Sequence, residues 1–199
     1  MPNRTDIDRY HHGDLRAACI ESAISLLDEG GESTLSLRAV ARRAGVSANA
    51  PYRHFRDKNA LLAALATHGF HELGRLMKEA DNSADPGEEF LALGQSYVRY
   101  ALDHPGIFRL MYGHPCSRYD AEANAAAAES AQVLANRVSQ LVPEESRQAL
   151  LIGSWALVHG LASLILDGKI TSGGPEEVDD LVRVTVRTIL ERQPMNEIS

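Results

Sequence analysis

The chain has 199 residues, a hydrophobic fraction of 44% and a formal net charge of -7. That length supports one domain with a real core, or a small and a larger helical domain in one chain. The acidic total, taken alone, argues against a nucleic-acid partner. Cys19 and Cys116 are the two cysteines and lie far apart. They fit no metal or redox spacing, which predicts reduced thiols in a cytoplasmic protein. The opening MPNRTDIDRYHH has no apolar run and does not read as a secretory signal. The longest apolar stretch, WALVHGLASLIL, is interrupted by His159 and is expected to be too short to span a bilayer.

In chain order, nearly every segment has helical period. DLRAACIESAISLLDEGG places Leu15, Cys19, Ala23 and Leu26 on one face, with Ile20, Ile24 and Leu27 beside it. Gly30 and Gly31 should stop that helix. SLRAVARRAGV should bury Leu37, Val40, Ala41 and Ala44 and turn Arg38 and Arg42 outward together. KNALLAALATHGFHELGRLMKEA reads as a long helix after Asp57, and DNSADPGEE as a break. Further helices are expected from about Glu88 to Leu102 and from about Gly106 to Tyr112, separated at His104-Pro105. After a second break at GHPCSR, the alanine-rich YDAEANAAAAESAQVLANRVSQL is a strong helix former. Pro143 should begin a helix at its first position, running to about Asp167. GKITSGGP reads as a loop, and EEVDDLVRVTVRTILERQ as the last helix, acidic at its start and basic near its end. Val182 to Val186 is the one strand-like ambiguity, and the acidic start favours helix. The expected class is all-α.

The charge is unevenly spread. From Ser36 to Lys58 there are six basic residues (Arg38, Arg42, Arg43, Arg53, Arg56, Lys58) and one acid, Asp57. From Asn59 onward 11 basic residues face 19 acidic ones. A basic patch on an acidic body is the electrostatic footprint of a DNA-reading head on a regulatory body. The plainer reading is a charged helical face.

The pattern inside the patch favours the first reading. A tight helix-turn-helix needs a small residue where the second helix crosses the first, and Ala41 supplies it. It needs a turn residue tolerant of left-handed φ, Gly45, and an apolar lock after the turn, Val46. Ser47 should then N-cap the second helix. Pro51 falls at the fourth helical position, where only one early hydrogen bond is lost, and should fill the slot facing the first helix. Such a helix presents its N-terminal residues to the major groove. Ala48, Asn49 and Arg53 would face base edges, Asn toward adenine and Arg toward guanine. Tyr52 and His54 would donate to phosphates, although His54 has an alternative as packing beside Phe55. Lys58 adds a charge and a free helix N-terminus suited to phosphate. Ser36 would cap the first helix and touch the opposite strand, with Arg38 beside it.

At these residues the chain resembles the tetracycline-repressor (TetR) family of transcriptional regulators. LSLRAVARRAGVSANAPYRHFRDKNALLAAL is similar to that family's N-terminal head almost without a gap. With the first helix, the likeness covers about residues 10–66. The family often has Gly-Thr-Leu before the tyrosine, where this chain has Asn49-Ala50-Pro51. The resemblance implies backbone contacts for Tyr52, His54 and Lys58 and base contact for Arg38. YHHGDLR at Tyr10 to Arg16, YVRYALDHPGIFRLMYG at Tyr97 to Gly113 and WALVHGLASLILDG at Trp155 to Gly168 resemble the branch named for Trp-His-Gly, here Trp155, His159 and Gly160. It implies an all-helical body that dimerises through its last two long helices and holds a ligand cavity among the others.

For that cavity the candidates are Phe70, Phe90, Tyr97, Tyr100, Phe108, Met111, Tyr112, Trp155 and His159, large groups with occasional polar tips. Any one of them also reads as core, and His159 also reads as satisfying a buried carbonyl. Gly153, Ala156, Gly160 and Ala162 would permit close helix approach in a dimer. His104, His114 and Cys116 sit on two prolyl loops without ligand geometry, so no metal is expected. No cofactor is expected either, since there is no Gly-rich phosphate loop, nucleophile elbow or metal motif.

The reading is thus a non-enzymatic, cytoplasmic regulator. It has a helix-turn-helix head at 10–58 and an effector-binding, dimerising body at 59–192. Its expected partners are a double-stranded DNA operator, a second copy and a small-molecule effector, with no membrane. An all-helical enzyme and a ligand-free architectural DNA binder stand as competitors.

Overall fold

The computed structural model describes residues 15–80, 85–113 and 121–190. Several expected features lie outside the described residues: Tyr10 to Asp14 of YHHGDLR, Asp81 to Ala84 of the first break, His114 to Arg118 of the second, with Cys116, and the tail after Leu190. The described residues form eight α-helices and no strand. They are α1 (Leu15–Gly30), α2 (Leu37–Arg43), α3 (Lys58–Ala80), α4 (Pro86–Asp103), α5 (Pro105–Gly113), α6 (Ala121–Leu141), α7 (Glu144–Leu166) and α8 (Pro175–Leu190). Short 3-10 turns occur at Glu32–Thr34 and Pro51–Arg53. The all-α expectation holds, and Val182 to Val186 is helical within α8.

The chain divides into two compact units. The first comprises Met1–Gly69 with Gly106–Ala125. Its core gathers Cys19, Ile20 and Leu27 of α1, Val40 of α2, Phe55, Leu61 and Leu65 around α3, and Leu110 of α5. Fully burying side chains of this size contributes about 1.5–3 kcal/mol each, so these contacts hold the short helices α2 and α5, which would not be stable alone. Burial also pushes the Cys19 thiol up from its ordinary value. Gly106, near the start of α5, runs against the last turn of α1. A Cβ there would come within 2.7 Å of the Leu27 carbonyl carbon, and its N–H donates to Asp28 Oδ1 at 3.1 Å.

The second unit comprises Phe70–Pro105 with Ala126–Ser199. Here α4 packs against both α7 and α8. Gly94 allows the approach, because a Cβ there would sit 3.3 Å from Val158 and 3.5 Å from Val182. Arg99 Nε donates to Asp179 Oδ1 at 2.7 Å, and Arg187 pairs with Glu88 at 2.6 Å, tying α4 to α8. Glu89 of α4 and Arg137 of α6 form an ion pair whose side chains are nearly buried.

Two boundaries and one burial differ from expectation. DPGEE is not a break but the start of α4. Asp85 accepts from the N–H groups of Gly87 and Glu88, and Pro86 takes the first helical position. Pro143 caps α7 from just outside it. Ala44, the C-cap of α2, is half-buried rather than buried. The apolar run expected to be too short for a bilayer belongs to α7, which has 23 residues and is long and apolar enough by length and composition to cross one. Little of its most apolar stretch is buried.

Candidate functional site

The candidate head lies in the first unit. Ser36 is extended and its hydroxyl accepts from the Ala39 N–H at 3.1 Å, so α2 starts where expected. α2 ends in a Schellman turn. The Gly45 N–H donates to Arg42 O at 3.3 Å and the Val46 N–H to Ala41 O at 3.0 Å. Gly45 sits at φ 67, the left-handed region that a side chain disfavours.

The second helix does not form as expected. Ser47 caps no α-helix. Instead the Ala50 N–H donates to Ser47 O at 2.9 Å, the Arg53 N–H to Ala50 O at 3.2 Å and the His54 N–H to Pro51 O at 3.0 Å. These are i to i+3 bonds, and the segment is a chain of tight turns ending in the 3-10 turn Pro51–Arg53. The cause is Pro51. An α-helix capped by Ser47 needs the fourth residue's N–H to reach the Ser47 carbonyl, and proline has none. Ala50 takes that carbonyl one residue early. Pro51 itself is fully buried, and its 3-10 turn packs against α2 as expected and against α1 as well.

The tight turns leave Ala48, Asn49, Tyr52, Arg53 and His54 exposed. The ring of His54 lies 6.3 Å from that of Phe55 and is tilted to it. Phe55 is buried, and the Arg16 guanidinium lies 6.0 Å from its centroid. So the segment is anchored by Pro51 and Phe55, while the residues between them face solvent.

The six cations of the patch divide into two groups. Arg43 pairs with both carboxylate oxygens of Glu29, with Nη1 at 2.7 Å from Oε2. Arg56 lies 3.2 Å from Asp57 Oδ2. Lys58 Nζ donates to the Glu32 carbonyl at 2.9 Å and lies 3.7 Å from its carboxylate. The N-terminus of α3, expected to be free, is capped by Asp57, whose Oδ1 accepts from the Ala60 N–H at 2.8 Å. Arg38, Arg42 and Arg53 are exposed and have no acidic partner among the described residues. Arg42 thus joins the candidate set. Its i, i+4 relation to Arg38 was visible in the sequence, but not that it has no acidic partner among the described residues while Arg43 has Glu29.

The candidate pocket residues fall in both units. Phe108 and Met111 of α5 are buried in the first, and Met111 lies against Gly69. Phe70, Tyr97 and Tyr100 are buried in the second. There Tyr97 hydroxyl is 2.9 Å from His159 Nδ1. Burial holds the His159 imidazole below its ordinary range. One partner of His159 is therefore a tyrosine hydroxyl. Trp155, one turn earlier on α7, has its ring 6.1 Å from that of His159 but is 47% exposed. Exposed with it are Ile152 and Leu164 of α7 and Val184 of α8.

Comparison with known proteins agrees with this geometry. Residues 20–65 match the family described as bacterial regulatory proteins, tetR family. Residues 90–189 match the one described as tetracyclin repressor-like, C-terminal domain. A helix-turn-helix transcriptional regulator of Mycobacterium bovis is 28% identical over 123 residues, 60% of this chain and 53% of its own. An uncharacterised one from Haemophilus influenzae is 30% identical over 116 residues, 57% of each chain. The chain thus spans about half the length of the curated relatives it matches. A solved Rhodococcus protein of unknown function is 32% identical, with TM-score 0.76, covering 90% of this chain and 97% of that one. A TetR family transcriptional regulator from Thermus thermophilus shares the fold at 19% identity and TM-score 0.66, covering 88% of this chain and 98% of its own. Matched at its head and across half its length at the C-terminal side, the chain belongs to the TetR family, whose members are transcriptional regulators and not enzymes.

Proposed function

We propose that the protein is a cytoplasmic, ligand-responsive transcriptional repressor that binds a palindromic operator as a homodimer and is released by a small-molecule effector. In this reading residues 10–58 are the DNA-binding head and 59–192 the effector-binding and dimerising body. The observation that carries it is the exposed trio Arg38, Arg42 and Arg53, which have no acidic partner among the described residues, beside a solvent-facing Asn49, Tyr52 and His54. Cations without internal partners are free to meet phosphates and base edges. Ser36, Ser47, Ala48 and Lys58 complete the proposed DNA surface.

The dimer is supported by the apolar side chains that α7 and α8 leave exposed, Ile152, Trp155, Leu164 and Val184. A single chain gains nothing from displaying them in water, and a two-fold partner would bury them. The same requirement accounts for the apolarity of α7 without a bilayer. A dimer would also space two heads about one DNA turn apart, matching a palindrome.

The effector would contact the polar pair Tyr97 and His159 of the second unit within apolar surroundings, with Phe70, Tyr100 and Trp155 as the further proposed contacts. It must bind the DNA-free state more tightly than the DNA-bound state, or release does not follow. Selecting bound duplexes from fragments of the source genome tests the reading. Enriched palindromic sites support it, and recovery of no site above background refutes it.

A further inference from the structure

Two carboxylates that no sequence motif singles out stand against the cationic patch. Glu29, in the last full turn of α1, faces both terminal amino groups of Arg43, and Glu32, in the turn after it, sits beside Lys58. The partners are 14 and 26 residues apart in sequence. Ion pairs at this exposure contribute little to stability, because water and salt screen them. Their effect on charge is larger. A bidentate pair occupies the edge of a guanidinium that would otherwise receive a phosphate. Glu29 is held below the ordinary carboxylate range chiefly by its hydrogen bond to Arg43, so it stays ionised.

We propose that Glu29 and Glu32 are specificity-determining restraints. They withhold part of the patch's positive charge from the phosphate backbone, and so limit sequence-independent binding while leaving Arg38, Arg42 and Arg53 free to read the operator. This rests on the operator-binding reading above. Sequence-independent affinity grows with the number of phosphates neutralised, and each added contact steepens the salt dependence of log K by about 0.9. A head with every cation available would hold any duplex tightly and gain little contrast at its own site. Withholding Arg43 lowers the first term without touching base contacts. Lys58 keeps donors free for a phosphate, with the Glu32 carboxylate opposing it at 3.7 Å.

The test uses the full-length protein, a mixed-sequence duplex and fluorescence anisotropy across a salt series. Glu29→Gln removes the charge and keeps the shape. It should steepen the slope by about 0.9 and tighten low-salt binding several-fold. Adding Arg43→Gln to it should return the slope to the wild-type value. Glu32→Gln keeps the backbone carbonyl that holds Lys58 and should also tighten binding. If wild type binds the duplex while both glutamine variants show its slope and affinity, or bind more weakly, the restraint is refuted and the operator reading stands. If Glu29→Gln fails to fold, as a circular-dichroism melt would reveal, its pair with Arg43 is structural. The proposal is then overturned for Glu29, and Glu32→Gln decides the rest. If wild type binds no duplex in dilute buffer, the operator reading falls and this inference with it.

Discussion

The hydroxyl of Tyr97 on α4 lies 2.9 Å from Nδ1 of His159 on α7, a polar contact that joins two helices of the second unit. Tyr97→Phe keeps the ring and removes the hydroxyl. We expect a loss of about 1 kcal/mol in urea unfolding, the usual net value of such a bond. The pH dependence has a definite sign. Burial lowers the folded-state pKa of His159 below its ordinary 6.5, so the unfolded chain takes up a proton first. The contribution of His159 is therefore complete above that value and is lost as pH falls from it toward the lowered one. His159→Gln should flatten this acid-side loss, and melts compared across the window check it.

Gly45→Ala isolates a backbone effect. Gly45 has φ 67, and an added Cβ meets nothing within 4 Å. The cost is therefore conformational and should be about 1–2 kcal/mol. A melt showing no loss would mean that the Schellman turn relaxes at no cost.

How far the sequence could be read depended on the range of the interactions involved. α3 spans Lys58 to Ala80 as its helical period predicts, because that period is a local signal, whereas the Asp57 cap at its start was not expected. The head's core was legible for the same reason. Cys19, Ile20 and Leu27 recur at helical spacing, and Pro51 is buried where an apolar slot was needed. The conformation around Pro51 was misread. Proline's missing N–H falls on the bond that would have nucleated the helix, and the chain closes tighter turns instead. The ion pairs of Arg43 and Lys58 were not legible, because their partners are set by tertiary folding. Trp155 looked like a buried aromatic from its apolar neighbours, but no local pattern says whether an apolar face meets its own chain or is left exposed.

Base reading and backbone holding should separate by mutation. Asn49→Ala and Arg53→Ala should relax preference at particular operator positions, each by about 1–3 kcal/mol. Tyr52→Phe and Lys58→Ala should weaken binding to all sequences alike. Gel shifts on an operator series with single-position changes distinguish the two outcomes. Unchanged selectivity in the first pair would mean that the tight turns at Ser47 to Arg53 point other residues at the bases.

The exposed apolar face should control assembly. Leu164→Glu places a charge on a side chain that is 44% exposed on α7. It should leave the melt of the chain little changed and shift sedimentation from dimer to monomer. Trp155→Ala should weaken the dimer and impair the effector response without altering operator preference. A monomeric wild type would contradict the proposed use of this face.

The most direct test of the central claim is the binding of purified protein to double-stranded DNA as salt is raised. The account predicts binding in dilute buffer that weakens steeply and linearly in log salt, and that Arg38→Ala, Arg42→Ala and Arg53→Ala together reduce both affinity and slope. Binding to no duplex at low salt, or binding that the triple variant leaves unchanged, would contradict it.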